Sequence, residues 1–265
     1  MQDEATYPVN APASPHVALF ATCLVELFRP VVATAARRLL AATGARVVMP
    51  PAQTCCGQPT YNAGDRKGAI RIARHMIATL ENFDAVVAPS GSCAAMIRRH
   101  YPALFEEDSR WRARAETLAA KTFELTDYLR QQSEYFAAPT KPSEGGRITY
   151  HDGCSGLREL GVKAQPRALL GAADGCELVE MSEPERCCGF GGLFCVKYDA
   201  ISEAMGNRKL DAAGRSGADT LVAGELGCLL HLSGLAQRQG RRLKCRHIAE
   251  ILAGASDTPA IGEPS

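Results

Sequence analysis

Two adjacent-cysteine pairs, Cys55-Cys56 and Cys187-Cys188, each followed by a glycine, are the residues whose types and spacing could do chemistry. Neighbouring side chains on an extended backbone point to opposite faces, so both thiolates of a pair reach one centre only through a kinked turn. The following glycine permits that kink, because it reaches positive φ without steric cost. A single zinc ion is poorly served by adjacent ligands, whereas a cluster of several irons can take each sulfur on a different metal atom. The pairs therefore point to an iron–sulfur site.

Each pair has company at matching distances. Thirty-one residues separate Cys23 from Cys55 and thirty-six separate Cys56 from Cys93; thirty-two separate Cys154 from Cys187 and thirty-nine separate Cys188 from Cys228. The two quartets are offset by 131 to 135 residues, so eight of the eleven cysteines are in register. That regularity favours ligation over the two plainer readings, buried small hydrophobes and disulfide partners. Cys176 and Cys245 fall in expected strands outside the repeat and read as core residues. Cys195, just past the glycine loop, and His231, three residues after Cys228, are further candidates at the second centre. His151 reads as a strand residue, and His16, His75, His100 and His247 have no partner visible in the sequence. Gly189-Phe190-Gly191-Gly192 lacks the G-x-G-x-x-G spacing and does not open the first β–α unit, so it is not a nucleotide loop. Arg110, Arg112 and Arg114 read as a solvated helix face.

The elements that must position these thiols alternate. HVALFAT (16–22), ARVVMPP (45–51), DAVVAPS (84–90), RITYHDG (147–153), CELVEM (176–181) and DTLVAGE (219–225) read as short buried strands. Helical stretches run over 27–42, 64–82, 94–101, 165–172, 200–214 and 229–237, and residues 110–132 show helical periodicity without strand signals. KCRHIAEILA (244–253) reads as a strand followed by a helix. The expected fold is α/β, with two pseudo-repeated parallel-sheet domains over 16–138 and 147–254 and right-handed crossovers. A Pro/Gly/Ser-rich linker (139–146) joins them, and frayed tails cover 1–15 and 255–265. In such sheets ligands gather beyond the carboxyl ends of strands, where Cys23, Cys93, Cys154 and Cys228 fall.

At 265 residues both halves are long enough to own a core, and a net charge of +1 supplies no basic field for nucleic acid or an anionic membrane. No apolar run is long enough to span a bilayer, and the acidic, Pro-rich start lacks the apolar stretch of a signal peptide. Reduced thiols in a cytoplasmic chain are the expectation.

The doubled C-x₃₁₋₃₉-C-C-G-x₃₅₋₃₉-C pattern resembles the cysteine-rich CCG domain of heterodisulfide reductase B subunits and of the glycolate oxidase iron–sulfur subunit. FATCLVELF (20–28), CCGQPTYNAGD (55–65), PSGSC (89–93), CCGFGG (187–192) with VK (196–197), and HIAEIL (247–252) are similar to stretches of the lactate-utilisation protein A family. The resemblance runs from about His16 to Leu252. It implies an iron–sulfur electron-transfer subunit of a flavin-independent complex oxidising L-lactate to pyruvate. The partners it implies are a ferredoxin-type iron–sulfur subunit and a third lactate-utilisation subunit. The cofactor it implies is a [4Fe-4S] cluster, held by Cys23, Cys55, Cys56 and Cys93 in one domain and by Cys154, Cys187, Cys188 and Cys228 in the other, or in the second domain only. The wider CCG pattern ends in C-x-x-C, whereas Met96 and His231 stand at those final positions here. A thioether is a weak neutral ligand and an imidazole a good one, so the two centres need not match, and zinc stays open for the first. Two other functions stay open: thiol–disulfide reduction of the heterodisulfide type, and a zinc-binding assembly protein without a redox role. No arginine is marked by motif as a carboxylate clamp for a hydroxy acid, and no base is marked either, so the catalytic residues are not legible.

Overall fold

Among the described residues eight strands form two sheets of four: β1 (His16–Leu19), β2 (Arg46–Val48), β3 (Ala85–Ala88), β4 (Thr122–Glu124), β5 (Gly146–His151), β6 (Cys176–Leu178), β7 (Thr220–Ala223) and β8 (Lys244–His247). This computed structural model describes residues 14–132, 146–173, 175–255 and 258–263. The strand orders are β2-β1-β3-β4 and β6-β5-β7-β8, with every pairing parallel. Both orders place the first strand of each half second in its sheet, so the doubled sequence pattern is a doubled topology. The central strands β3 and β7 read as unbroken apolar runs, AVVA and TLVA, because helices cover both of their faces.

Helices connect the strands as crossovers, and several differ from the sequence expectation. The single helix expected over 27–42 is two, Cys23–Phe28 and Pro30–Ala41, broken at Arg29. The ring of Pro30 excludes the α conformation from the residue before it. The stretch 110–132, expected to be helical throughout, contains β4 between the helices Ser109–Ala120 and Leu125–Gln131. Three residues are too few for a periodicity to show, and Thr122-Phe123-Glu124 becomes a strand only by pairing with Val86-Val87-Ala88. The helix Cys154–Leu160, not read from the sequence, completes the correspondence with Cys23–Phe28. The linker at 139–145 and the N-terminal tail at 1–13 lie outside the described residues. The expected C-terminal tail is partly packed: Ala260 and Ile261 are buried, and the Ile261 amide donates to the Cys245 carbonyl at 2.9 Å.

The halves share one core, and the first half has a second of its own. One continuous apolar cluster runs from Val17, Val32 and Leu39 through Leu125 and Leu129 to Ile148, Leu170, Leu221 and Ile251, while a second cluster fills the other face of the first sheet. The helix after each last strand crosses over: Ile248–Leu252 packs on Pro30–Ala41, and Leu125–Gln131 packs on Ala164–Gly171. Charge follows apolar burial across this junction. Arg29 of the first half donates to Glu250 of the second at 2.6 Å, with the carboxylate fully buried and Arg246 on its other side at 3.4 Å.

Candidate metal centre: two thiol quartets on one cavity

Each cysteine pair sits in a loop that only glycine can turn. Gly57 and Gly189 hold φ of +84° and +93°, and a Cβ on Gly189 would meet the Ser202 carbonyl at 2.4 Å. Their amides point back at sulfur, Gly57 N–H to Cys55 Sγ and Gly189 N–H to Cys187 Sγ, each at 3.4 Å. The loops are also tied down from behind: Tyr101 Oη donates to the Cys56 carbonyl at 2.8 Å, and Ser202 Oγ to the Gly189 carbonyl at 2.8 Å.

The single cysteines come from helix starts. Cys23 and Cys154 are the first residues of their helices, and Cys93 and Cys228 lie in the first turns of Gly91–Ala95 and Leu226–Arg238. All four therefore stand just beyond the carboxyl ends of β1, β5, β3 and β7. The tertiary fold brings them to the pairs. Cys23 Sγ lies 3.7 Å from Cys55 Sγ, and Cys56 Sγ lies 3.4 Å from Cys93 Sγ. In the second half Cys154 meets Cys187 and Cys188 meets Cys228 in the same scheme. All eleven cysteines are free thiols.

Both quartets line one cavity of about 270 Å³. That is roughly nine times a water's share of liquid volume, space that polyatomic centres would use and that a zinc ion enclosed by its own ligands would not. A tetrahedral zinc with 2.3 Å bonds needs its sulfurs about 3.8 Å apart on every edge. Among the described residues, the trio His151, Cys188 and Cys228 has ligating atoms all within 4.8 Å of one another, and no three cysteines of the first quartet are that compact. Cys55 also bonds Cys56, so the first quartet is an open chain of four sulfurs rather than a closed tetrahedron, a shape that suits several metal atoms better than one.

The thiols polarise one another identically in the two halves. Hydrogen bonds from Cys23 and Cys56 hold Cys55 well below the usual thiol range, and those from Cys154 and Cys188 do the same to Cys187. The donors are pushed up in turn by the same hydrogen bonds and by burial. Each quartet therefore carries one thiol poised as a thiolate to receive a metal, and its neighbours release protons when they ligate.

What else faces the cavity is mostly apolar or neutral. Its carboxylate is Glu225, which accepts from Ser90 Oγ at 3.1 Å and from the Ser92 amide at 2.9 Å across the junction of the halves. Burial pushes that carboxyl above its ordinary range, and the Ser92 amide pulls it back. Among the described residues no lysine or arginine lines the cavity.

The other sequence candidates lie around this core. Cys195 Sγ donates to the Gly192 carbonyl at 3.0 Å and is not part of the cavity wall. His231 Nε2 lies 3.4 Å from Ser202 Oγ, with its ring beside Phe190. Met96 is fully buried in the core of the first half. Cys245 is buried and Cys176 half-buried, both in strands. Sequence reasoning gave His151 a strand role, which β5 bears out, and did not mark Lys209; the fold buries both beside the second quartet, and each is a polar residue where the repeat has an apolar one. Comparing the two copies residue by residue is the signal that finds them.

The profile of the CCG cysteine-rich domain matches residues 17–98 and 148–233. The chain belongs to the CCG cysteine-rich family. Within it the chain is 44% identical over 241 residues to a lactate utilization protein A of Exiguobacterium, covering 90% of this chain and 97% of that one. It is likewise 44% identical over 236 residues to a lactate utilization protein A of Geobacillus, covering 89% and 98%. The matched segments include all eight registered cysteines. A crystal structure of a hypothetical protein from Helicobacter pylori superposes with a TM-score of 0.63 at 14% identity, covering 98% of this chain and 52% of that one, which shows a shared fold. Among the described residues no helix is long and apolar enough to cross a membrane.

Proposed function

We propose that this chain is the iron–sulfur electron-transfer subunit of a complex that oxidises L-lactate to pyruvate. Cys23, Cys55, Cys56 and Cys93 would hold one [4Fe-4S] cluster and Cys154, Cys187, Cys188 and Cys228 another. The observation that carries this is the convergence of eight free thiols, from opposite ends of the chain, on one cavity that no lysine or arginine lines among the described residues. Bound there, such clusters supply one-electron redox chemistry. The chain's own residues do the rest. The cysteines position the metal, the Gly57, Gly189 and Phe190 amides donate to their sulfurs, and the apolar walls limit water.

The same cavity argues against hydroxy-acid oxidation within this chain. A lactate carboxylate calls for an arginine or lysine clamp, and the acidic side chain that lines the cavity among the described residues is Glu225, which cannot clamp it. Substrate chemistry then belongs to a partner: the ferredoxin-type subunit or the third lactate-utilisation subunit. Exposed apolar residues stand ready for such contacts, Leu27 and Phe28 on the helix that begins at Cys23, and Val196, Tyr198 and Ile201 after the glycine loop. Both groups follow cavity-lining residues, Leu24 and Leu193, by a few positions.

Anaerobic purification followed by iron, sulfide and zinc analysis tests the assignment. Iron and sulfide in equal amounts, with a spin-resonance signal on reduction, are expected. Stoichiometric zinc with a silent spectrum would sink the electron-transfer reading in favour of a zinc-binding assembly protein, and turnover of a disulfide without any coupling to lactate would favour the heterodisulfide type.

A further inference from the structure

In the register of the repeat, the two halves differ systematically around their quartets. Three residues before Cys23 stands Phe20 and three before Cys154 stands His151, both fully buried. The next position holds Ala21 in one and Asp152 in the other. The buried stripe Ala69, Ala73, Met76, Ile77, Leu80 recurs with the same spacing as Ser202, Gly206, Lys209, Leu210, Ala213, so Lys209 answers to Met76. Apolar side chains back the first quartet, and ionisable ones back the second.

Lys209 and Asp152 are accounted for. Lys209 Nζ donates to the Glu183 and Pro184 carbonyls at 2.8 and 2.9 Å, and Asp152 pairs with Arg167 at 2.8 Å. His151 is not. Neither ring nitrogen has a hydrogen-bond partner although the residue is sealed from solvent. The Pro184 carbonyl is close, but it already accepts from Lys209 and from the Asp152 amide at 3.2 Å, and the imidazole does not reach it in bonding geometry. A buried imidazole with both nitrogens unsatisfied is a cost that folds avoid unless something else takes the lone pair. One nitrogen lies within 4.8 Å of both Cys188 Sγ and Cys228 Sγ.

We infer that His151 is a nitrogen ligand of the second metal centre, completing a donor set of four thiolates and one imidazole that the first centre lacks. Imidazole suits iron and zinc alike, so the assignment concerns the donor and not the metal. It rests on the reading of Cys154, Cys187, Cys188 and Cys228 as metal ligands. It also moves the histidine role from His231, which faces Ser202 and Gly206, to a residue on β5. The two centres are then chemically unlike: the second carries a neutral donor beside a buried ammonium, and the first carries thiolates alone.

The test uses the full chain, purified anaerobically with and without ¹⁵N-histidine, and reads nitrogen coupling by pulsed spin resonance on the reduced protein. A coupling that responds to the label, persists in His231→Ala and vanishes in His151→Phe, the first half's own residue, is expected. A filled second centre without histidine nitrogen in the unmutated chain overturns the inference, as does a coupling that survives His151→Phe. The decisive spectrum is that of the unmutated chain, so a variant that fails to fold does not shield the idea. If the metal proves to be zinc, the iron reading fails but His151 is still read at the zinc absorption edge, as a nitrogen at about 2.0 Å that His151→Phe removes. A chain that takes up no metal overturns both.

Discussion

At the scale of single residues, the quartets behave as proton-sharing groups that a metal must displace. Loading releases protons, so metal affinity rises with pH and falls in acid. Cys188 is buried at the bottom of the second loop but contributes little apolar volume. Cys188→Ala should therefore lower iron by about one cluster per chain, read by metal analysis, while the far-UV circular dichroism stays unchanged. Unaltered iron in that variant would remove Cys188 from the ligand set. Phe190 and Gly227 show how closely the wall is fitted, since a Cβ on Gly227 would lie 2.5 Å from the Phe190 ring.

At the scale of elements, the helices that carry cysteines meet across the junction of the halves. A Cβ on Gly91 would come within 2.7 Å of the Gly156 Cα, so helix Gly91–Ala95 and helix Cys154–Leu160 touch backbone to backbone. Backbone atoms cannot rotate away as a side chain can. Gly91→Ala should cost about 1–3 kcal/mol by overpacking and spread the seam between Cys93 and Cys154, measured as a lower denaturant midpoint with weaker metal uptake. Gly214→Ala is the control: it is exposed in helix Asp199–Arg215 with nothing near its Cβ, and should stabilise by about 0.5–1 kcal/mol. Equal effects of the two would refute the close-approach account.

At the scale of the whole molecule, the shared core makes unfolding cooperative, and a single thermal transition is expected rather than one for each half. Two pseudo-equivalent caps set the pH response. His247 accepts from the Ala249 amide on Nδ1 and donates from Nε2 to the Pro89 carbonyl of the other half at 3.1 Å, a neutral tautomer. Burial lowers it from 6.5 to about 4, so its contribution is present above pH 6.5 and lost as pH falls through about 4. Glu124, at the equivalent end of β4, is raised by burial to about 7, and its contribution is present below pH 4.5 and lost as pH rises through about 7. Denaturant midpoints measured from pH 4 to 8 should show His247→Gln flattening the acid limb and Glu124→Gln the alkaline one. The apolar rim makes a separate demand: Leu27→Glu with Val196→Glu should leave iron content intact and slow electron exchange with the partner subunits at least several-fold. Unimpaired exchange would place the partner elsewhere.

The sequence alone determined the doubling, the cysteine quartets and the parallel α/β class, because spacing and apolar runs are local records of turns and buried strands. The break before Pro30 follows from a steric rule confined to two residues, yet the expectation over 27–42 is a single helix. What only the tertiary structure decided was contact between segments far apart in the chain. The short strand β4 exists through its pairing with β3, one core spans both halves because helices cross between them, and eight thiols line one cavity because both sheets turn their carboxyl ends toward it. His151 closes β5 and Phe20 directly follows β1, equivalent places in the repeat. Only packing showed that the imidazole is sealed beside sulfur with no other partner.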